Sequence, residues 1–384
     1  MPFFDQDHDD YRETVRDYIA TWVEPSYDQW EADHLIDRKV WTPAAEAGLI
    51  ALDIPEQYGG MDLHDWRFRM VVAEELNMAA APSLTIAFAV HDDLVLPYLL
   101  DLATDEQKER WLPRMASGEW IGAIGMTEPG AGSDLQGIKT SALRDGDHYV
   151  INGSKTFITN GWHADLVITV AKTNPSAGAK GTSLLLVERG MAGFEKGKRL
   201  KKVGLKAQDT SELFFDNVRV PASHLLGQEN QGFIYLMQEL PWERLQIAIS
   251  GAANAQAAID WTLDYVRERK VFGTTVSAYQ NTRFKLAEMQ TEVQVAQVFV
   301  DKCMELLMVD KLDTATASMA KYWVSDLQCK VIDECVQLHG GYGFMWEYPI
   351  ARAYCDARVQ RIYGGTNEIM KEVITRSMGL AVPK

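Results

Sequence analysis

The sequence is poor in the residues that build disulfide or metal scaffolds. It carries four cysteines, Cys303, Cys329, Cys335 and Cys355, and none of them has CxxC spacing. Reduced, mostly buried thiols in a cytosolic setting are therefore expected. The eight histidines form no ligand cluster. Positive charge is not in excess either: 38 Lys and Arg stand against 54 Asp and Glu, a net charge of −16. That excludes nucleic acid as the main partner, because phosphate binding needs a basic surface. An anionic small molecule held by a few local cations stays open. No apolar run reaches the roughly 18 residues of a membrane span. The acidic start Met1-Pro-Phe-Phe-Asp-Gln-Asp-His-Asp-Asp10 resembles neither a secretory signal nor a transit peptide, so a cytoplasmic location is expected. Strand–helix alternation is also missing, which argues against a Rossmann sheet. Gly130-Ala-Gly132 and Gly340-Gly341-Tyr-Gly343 are accordingly not read as dinucleotide fingerprints.

What is present falls into three zones. The 384 residues suffice for two or three domains with their own cores. Residues 1–118 read as an α-helical domain of Ala- and Leu-rich amphipathic stretches. Thr104-Asp-Glu-Gln107 is a helix start with a capping box. Residues 119–228 read as an antiparallel β domain, in which short β-rich runs alternate with turn signals at Asp145-Gly146 and Asn152-Gly153. Residues 229–384 read as a helical bundle. Pro241 suits a first helical turn. Leu286, Met289, Val293, Ala296, Val300, Cys303 and Leu307 form one apolar stripe; Ala320, Trp323, Leu327, Val331 and Leu338 form another. The fold class is therefore α+β.

Met126-Thr-Glu-Pro-Gly-Ala-Gly-Ser-Asp134 opens the β zone. Its glycines allow close backbone approach, and its N–H groups with the Ser133 hydroxyl suit a pyrophosphate; an ordinary glycine turn reads equally well. Taken with Asn152-Gly-Ser-Lys-Thr-Phe-Ile-Thr-Asn-Gly161, Gln337-Leu-His-Gly-Gly-Tyr-Gly-Phe344 and Arg361-Ile-Tyr-Gly-Gly-Thr-Asn-Glu-Ile-Met370, it resembles the acyl-CoA dehydrogenase family over nearly the whole chain. The resemblance implies an N-terminal helical domain, a middle β domain and a C-terminal four-helix bundle. It also implies FAD. By position, Met126, Thr127 and Ser133 match the family's contacts to the isoalloxazine ring and nearby phosphate. Phe157 matches the stacking residue, and Ile158 and Thr159 match the edge contacts. Arg269, Phe272, Gln280, Gln337 and Gly341 match residues that a neighbouring subunit supplies to the same cofactor, which implies an oligomer, typically a dimer of dimers. Thr366 and Glu368 match the tail near the cofactor.

In most of the family a glutamate takes the α-proton of the thioester while a hydride leaves the β-carbon for flavin N5. That position is Gly364 here, which offers only a backbone N–H to the thioester oxygen. Two branches, the long-chain and isovaleryl dehydrogenases, place the base on the bundle helix just before an arginine. Glu243-Arg244 fits that placement, with Glu243 as base and Arg244 near the CoA or orienting Glu243. The plain alternative for Glu243 is an acidic residue in a first helical turn, complementing the helix dipole. Tyr363 favours the long-chain branch, since the isovaleryl pattern has a small residue there. Ser133, Arg244, Tyr363 and Gly364 are thus the substrate-side candidates. An electron-transfer flavoprotein is the implied acceptor. An isovaleryl or other branched-chain enzyme, a flavin oxidase or monooxygenase of the same fold, and a non-catalytic acyl-CoA-binding subunit stay open. The basic run Lys196, Lys198, Arg199, Lys201 and Lys202 reads as a solvated hairpin, with one or two cations available to CoA phosphates.

Overall fold

The computed structural model describes residues 3–380. Helices fill the chain up to Ala116. The last of them, Asp105–Ala116, starts at Thr104 with both halves of the expected capping box formed. The helix Pro82–Leu102 is long and apolar enough by composition to cross a membrane, yet 83% of its apolar window is buried inside the protein. It is a core helix, and its middle, Val90–Val95, is π-helical. Asp92 and Asp93 sit in that wide turn and face the buried Arg69 from the helix Arg67–Met78. Such a π segment re-aims side chains within a helix.

Eight strands follow: β1 (Gly122–Gly125), β2 (Ser141–Asp145), β3 (His148–Thr159), β4 (Leu166–Lys172), β5 (Thr182–Glu188), β6 (Phe194–Arg199), β7 (Thr210–Pro221) and β8 (Leu225–Leu226). They form one sheet in the order β6-β7-β3-β2-β4-β5-β8, with β1 alongside β4. Most pairings are antiparallel, but β1 runs parallel to β4, and β2 meets β4 in a parallel bridge. Asp145-Gly146 makes the β2–β3 turn. Asn152-Gly153 does not turn the chain; it lies inside β3, at a register shift against β7. Gly153 meets Thr140 so closely that a Cβ there would sit 2.4 Å from the Thr140 hydroxyl. The glycine serves close packing and a bulge rather than a hairpin.

The bundle begins with a 37-residue helix, Gly232–Glu268. Pro241 lies inside it and not in its first turn, because helical pattern and packing continue N-terminal to the proline. The missing N–H costs one backbone bond, which tertiary packing tolerates. Helices Gln280–Leu307 and Thr314–His339 pack against it. Six of the seven residues of the first predicted stripe are buried, with Leu307 packed at its edge. In the second, Ala320, Leu327 and Val331 are buried, with Trp323 and Leu338 partly so. All four cysteines are free.

Candidate active site

The helix Gly232–Glu268 carries Glu243 about three turns from its start. A dipole-complementing role belongs to a first turn and does not apply. Glu243 is only 5% exposed. Its one hydrogen bond among the described residues comes from the Tyr98 hydroxyl, 3.3 Å from Oε1, on the helix Pro82–Leu102. Burial pushes the carboxyl up to about 7; Tyr98 and Arg244 pull the other way. Arg244 is buried beside it, with Nη1 3.0 Å from the Ser318 Oγ. Among the described residues its Nε has no hydrogen-bond partner.

Gly364 lies over the same helix face. Ile247 is one turn beyond Glu243, and so shares its side of the helix. A Cβ built on Gly364 would sit 2.3 Å from the Ile247 Cδ1. Gly364 and Gly365 have φ of +60° and +87°, values that favour glycine. Among the described residues, the N–H groups of Gly364, Gly365 and Thr366 donate to no protein acceptor. Successive free N–H groups of this kind make a concavity for a negatively charged oxygen. Tyr363 donates to Gln360 Oε1 at 2.8 Å. The Thr366 Oγ1 caps the helix Asn367–Ser377, accepting from Ile369 N at 3.3 Å. Glu368 is exposed in that helix's first turn.

The structure brings Met126, Thr127 and Phe157 together. The buried Lys155 of β3 donates to the Met126 carbonyl at 3.0 Å and to Glu128 Oε1 at 2.8 Å. The Thr156 N–H reaches the Thr127 carbonyl at 2.9 Å. The next residue, Phe157, lies in a second β3 bulge with φ +59° and is 67% exposed. A bulky residue at positive φ is an outlier, and here it turns an aromatic face outward. Ser133 is exposed, and neither Gly130 nor Gly132 has a heavy atom within 4 Å of a built Cβ. Thr159 is half-buried. Ile158 points into the sheet core and its carbonyl accepts from Gly161.

The remaining candidates gather elsewhere. Arg269 follows the last residue of the long helix, with its guanidinium 5.2 Å from the Tyr342 ring centroid. Phe272, 97% exposed with φ +50°, sits in the hairpin beyond it. Tyr265 donates to the His339 carbonyl at 3.0 Å, tying this end to exposed Gln337 and Gly341. Gln280, also exposed, starts the next helix. At about 1.5 Å per helical residue, Arg269 lies roughly 40 Å from Glu243, further than a dinucleotide reaches.

Three side chains of the basic run are tied to backbone carbonyls, while Lys198, Arg199 and Lys201 are exposed. Lys196 donates to the Trp162 and Ala164 carbonyls at 2.7 and 2.6 Å. Lys202 donates to the Gln208 carbonyl, and Arg199 reaches the Asp33 and His34 carbonyls. Lys198 and Lys201 carry no such bond among the described residues. Sequence reading overlooked Tyr98 and Ile247: no local pattern links Tyr98 to Glu243 or Ile247 to Gly364.

Three family descriptions match in order: "Acyl-CoA dehydrogenase, N-terminal domain" over residues 5–119, the middle domain over 123–218 and the C-terminal domain over 230–379. The mitochondrial long-chain specific acyl-CoA dehydrogenase of Rattus norvegicus is 52% identical over 377 residues, 98% of this chain and 87% of that protein. An acyl-CoA dehydrogenase structure from Geobacillus kaustophilus superposes with a TM-score of 0.95 at 44% identity, covering 98% of this chain and 99% of that one. A glutaryl-CoA dehydrogenase from Mycobacterium smegmatis, solved in complex with FADH2, superposes at 0.92 with 28% identity, covering 100% and 97%. With full-length family matches and this identity, the chain belongs to the acyl-CoA dehydrogenase family and is an FAD-dependent enzyme.

Proposed function

We propose that the protein converts a long-chain acyl-CoA to the trans-2-enoyl-CoA, with Glu243 as the base. The observation that carries this reading is the buried Glu243 carboxyl, held near neutrality on the helix face that Gly364 overlies. A base poised near the working pH is the efficient one. In this reading the thioester oxygen lies against the free N–H groups of Gly364–Thr366. Negative charge gathers on that oxygen as the α-proton leaves, and fixed N–H dipoles stabilise it without reorganising. The Cα–H bond breaks and its proton goes to Glu243. Tyr98 holds the carboxylate in place, and Tyr98 and the Arg244 charge both favour its ionised form. FAD, when bound, supplies the acceptor for the hydride that leaves the β-carbon.

The residues present fit that cofactor. Phe157 presents an aromatic face at a strained position, and the open glycine loop ending at Ser133 leaves room for phosphate. Met126, Thr127, Ile158 and Thr159 flank them, with Thr366 and Glu368 on the tail side. Arg269, Phe272, Gln280, Gln337 and Gly341 would bind from a second subunit, since within one chain they lie too far away. The reading therefore includes a homo-oligomer, a dimer of dimers, and an electron-transfer flavoprotein as acceptor. Long chains are supported by the identity to the long-chain relative and by Tyr363. Four free thiols suit a reducing compartment. The cytoplasm is one; the rat relative is mitochondrial.

Glu243→Gln tests the reading. The variant is expected to keep FAD and bind palmitoyl-CoA, but to reduce its flavin about a hundredfold more slowly under anaerobic conditions. Reduction at the wild-type rate would mean that another group is the base. Bleaching of the wild-type flavin by isovaleryl-CoA but not by palmitoyl-CoA would move it to the branched-chain reading.

A further inference from the structure

Lys321, in the helix Thr314–His339, is fully buried, and among the described residues it has no carboxylate partner. Burying an uncompensated ammonium is costly, so what it touches matters. Its Nζ donates to the Gly365 carbonyl at 2.7 Å and to Asn367 Oδ1 at 2.9 Å. Asn367 is in turn anchored through Nδ2 to the Tyr322 carbonyl, Ser325 Oγ and Asp326 Oδ1 at 3.2, 3.0 and 3.0 Å. Lys321 thus ties the Gly364–Thr366 loop to the bundle at the point where three N–H groups stand free.

The tie also has an electrostatic effect. The Gly365 carbonyl and the Thr366 N–H belong to one peptide unit, so a cation on the carbonyl makes that N–H a stronger donor. We propose that Lys321 is a positioning residue for proton abstraction: through Gly365 and Asn367 it fixes and polarises the N–H groups that receive the thioester oxygen opposite Glu243. This rests on the reading of Glu243 as base. The charged groups acting on Lys321 are Arg244 of the long helix, Asp326 on its own helix, Glu368 of the C-terminal helix and Arg361 before it. Burial first, and then Arg244, lower the ammonium to about 8. The tie therefore loses its charge as pH rises through about 8.

The test is Lys321→Met in the FAD-loaded enzyme, measured by anaerobic stopped-flow with palmitoyl-CoA. FAD content and melting temperature are expected to match wild type. The limiting rate of flavin reduction should fall about 10–100-fold, with half-saturation within about threefold. The carbonyl stretch of bound 13C-labelled enoyl-CoA should lose its shift to low frequency, and the wild-type alkaline limb near 8 should vanish. A rate per bound flavin within about twofold of wild type, or an unchanged carbonyl stretch, overturns the inference. Should this variant not fold, Lys321→Gln, which keeps a neutral donor, takes its place. It is expected to slow reduction and flatten the alkaline limb, and wild-type behaviour overturns the inference equally. Glu243→Gln run alongside separates the two ideas. A fast Glu243→Gln removes the base assignment, whereas a slow one beside a fast Lys321→Met removes only the role of Lys321.

Discussion

A carboxylate takes a carbon-bound proton only if water does not satisfy it first, and Glu243 is kept dry with a single hydrogen bond from Tyr98. That bond stabilises the ionised form, so losing it raises a carboxyl already pushed up to about 7. In the proposed role the base acts ionised, so flavin reduction should rise as pH climbs through about 7 and be lost as pH falls through it; the alkaline limb belongs to Lys321. Tyr98→Phe is expected to move that acid limb to higher pH while leaving the plateau within about tenfold. Rate–pH profiles of the two proteins check this; an unmoved limb would detach it from Glu243. At this scale the sequence makes legible that position 364 carries no carboxylate and that position 243 does. It hides the environment. Pro241 suggests a helix start, whereas Gly232–Leu240 add turns before it. Tyr98 lies 145 residues away in the chain, with no local pattern to link it to Glu243.

At the scale of elements, β3 organises the side of the site proposed for the flavin. A bulge rotates Phe157 outward, while Lys155 turns inward and holds the Met126–Glu128 loop. Glu128 also accepts the Lys139 and Thr140 N–H groups at 2.7 and 2.9 Å, so one buried ion pair shapes the whole turn. Lys155→Met leaves Glu128 buried without its cation, a change that costs about 3–5 kcal/mol when a buried pair loses one partner. The expected outcome is a lower melting temperature and FAD lost on dialysis; a variant that retains both would show that the loop is shaped without the pair. The strands themselves are legible from β-rich runs between turn residues. The bulges are not, because Asn152-Gly153 carries the composition of a hairpin turn and only the pairing with β7 shows otherwise. The basic run at 196–202 is only partly legible for the same reason: composition counts charges, but not which side chains bond backbone carbonyls, as three of them do.

At the scale of the molecule, the change from helical to β-rich and back to helical patterning is visible in the sequence, because hydrophobic period reports local structure. Distance is not visible. Glu243 lies within one helix and Arg269 at its end, and only the helical rise shows that they stand roughly 40 Å apart. If both serve one cofactor, each site combines the Glu243 end of one subunit with the Arg269 end of another. Glu243→Gln removes the first half, and Arg269→Glu removes the second by reversing the charge proposed for pyrophosphate. Each variant alone should be nearly inactive. Co-expressed, they form mixed pairs in which one site draws its intact Glu243 from the Arg269→Glu chain and its intact Arg269 from the Glu243→Gln chain. Random pairing makes half of the pairs mixed, with one competent site in two, so about a quarter of wild-type activity should return. Activity that stays at the level of the single variants would place the whole cofactor site within one chain and refute the shared arrangement.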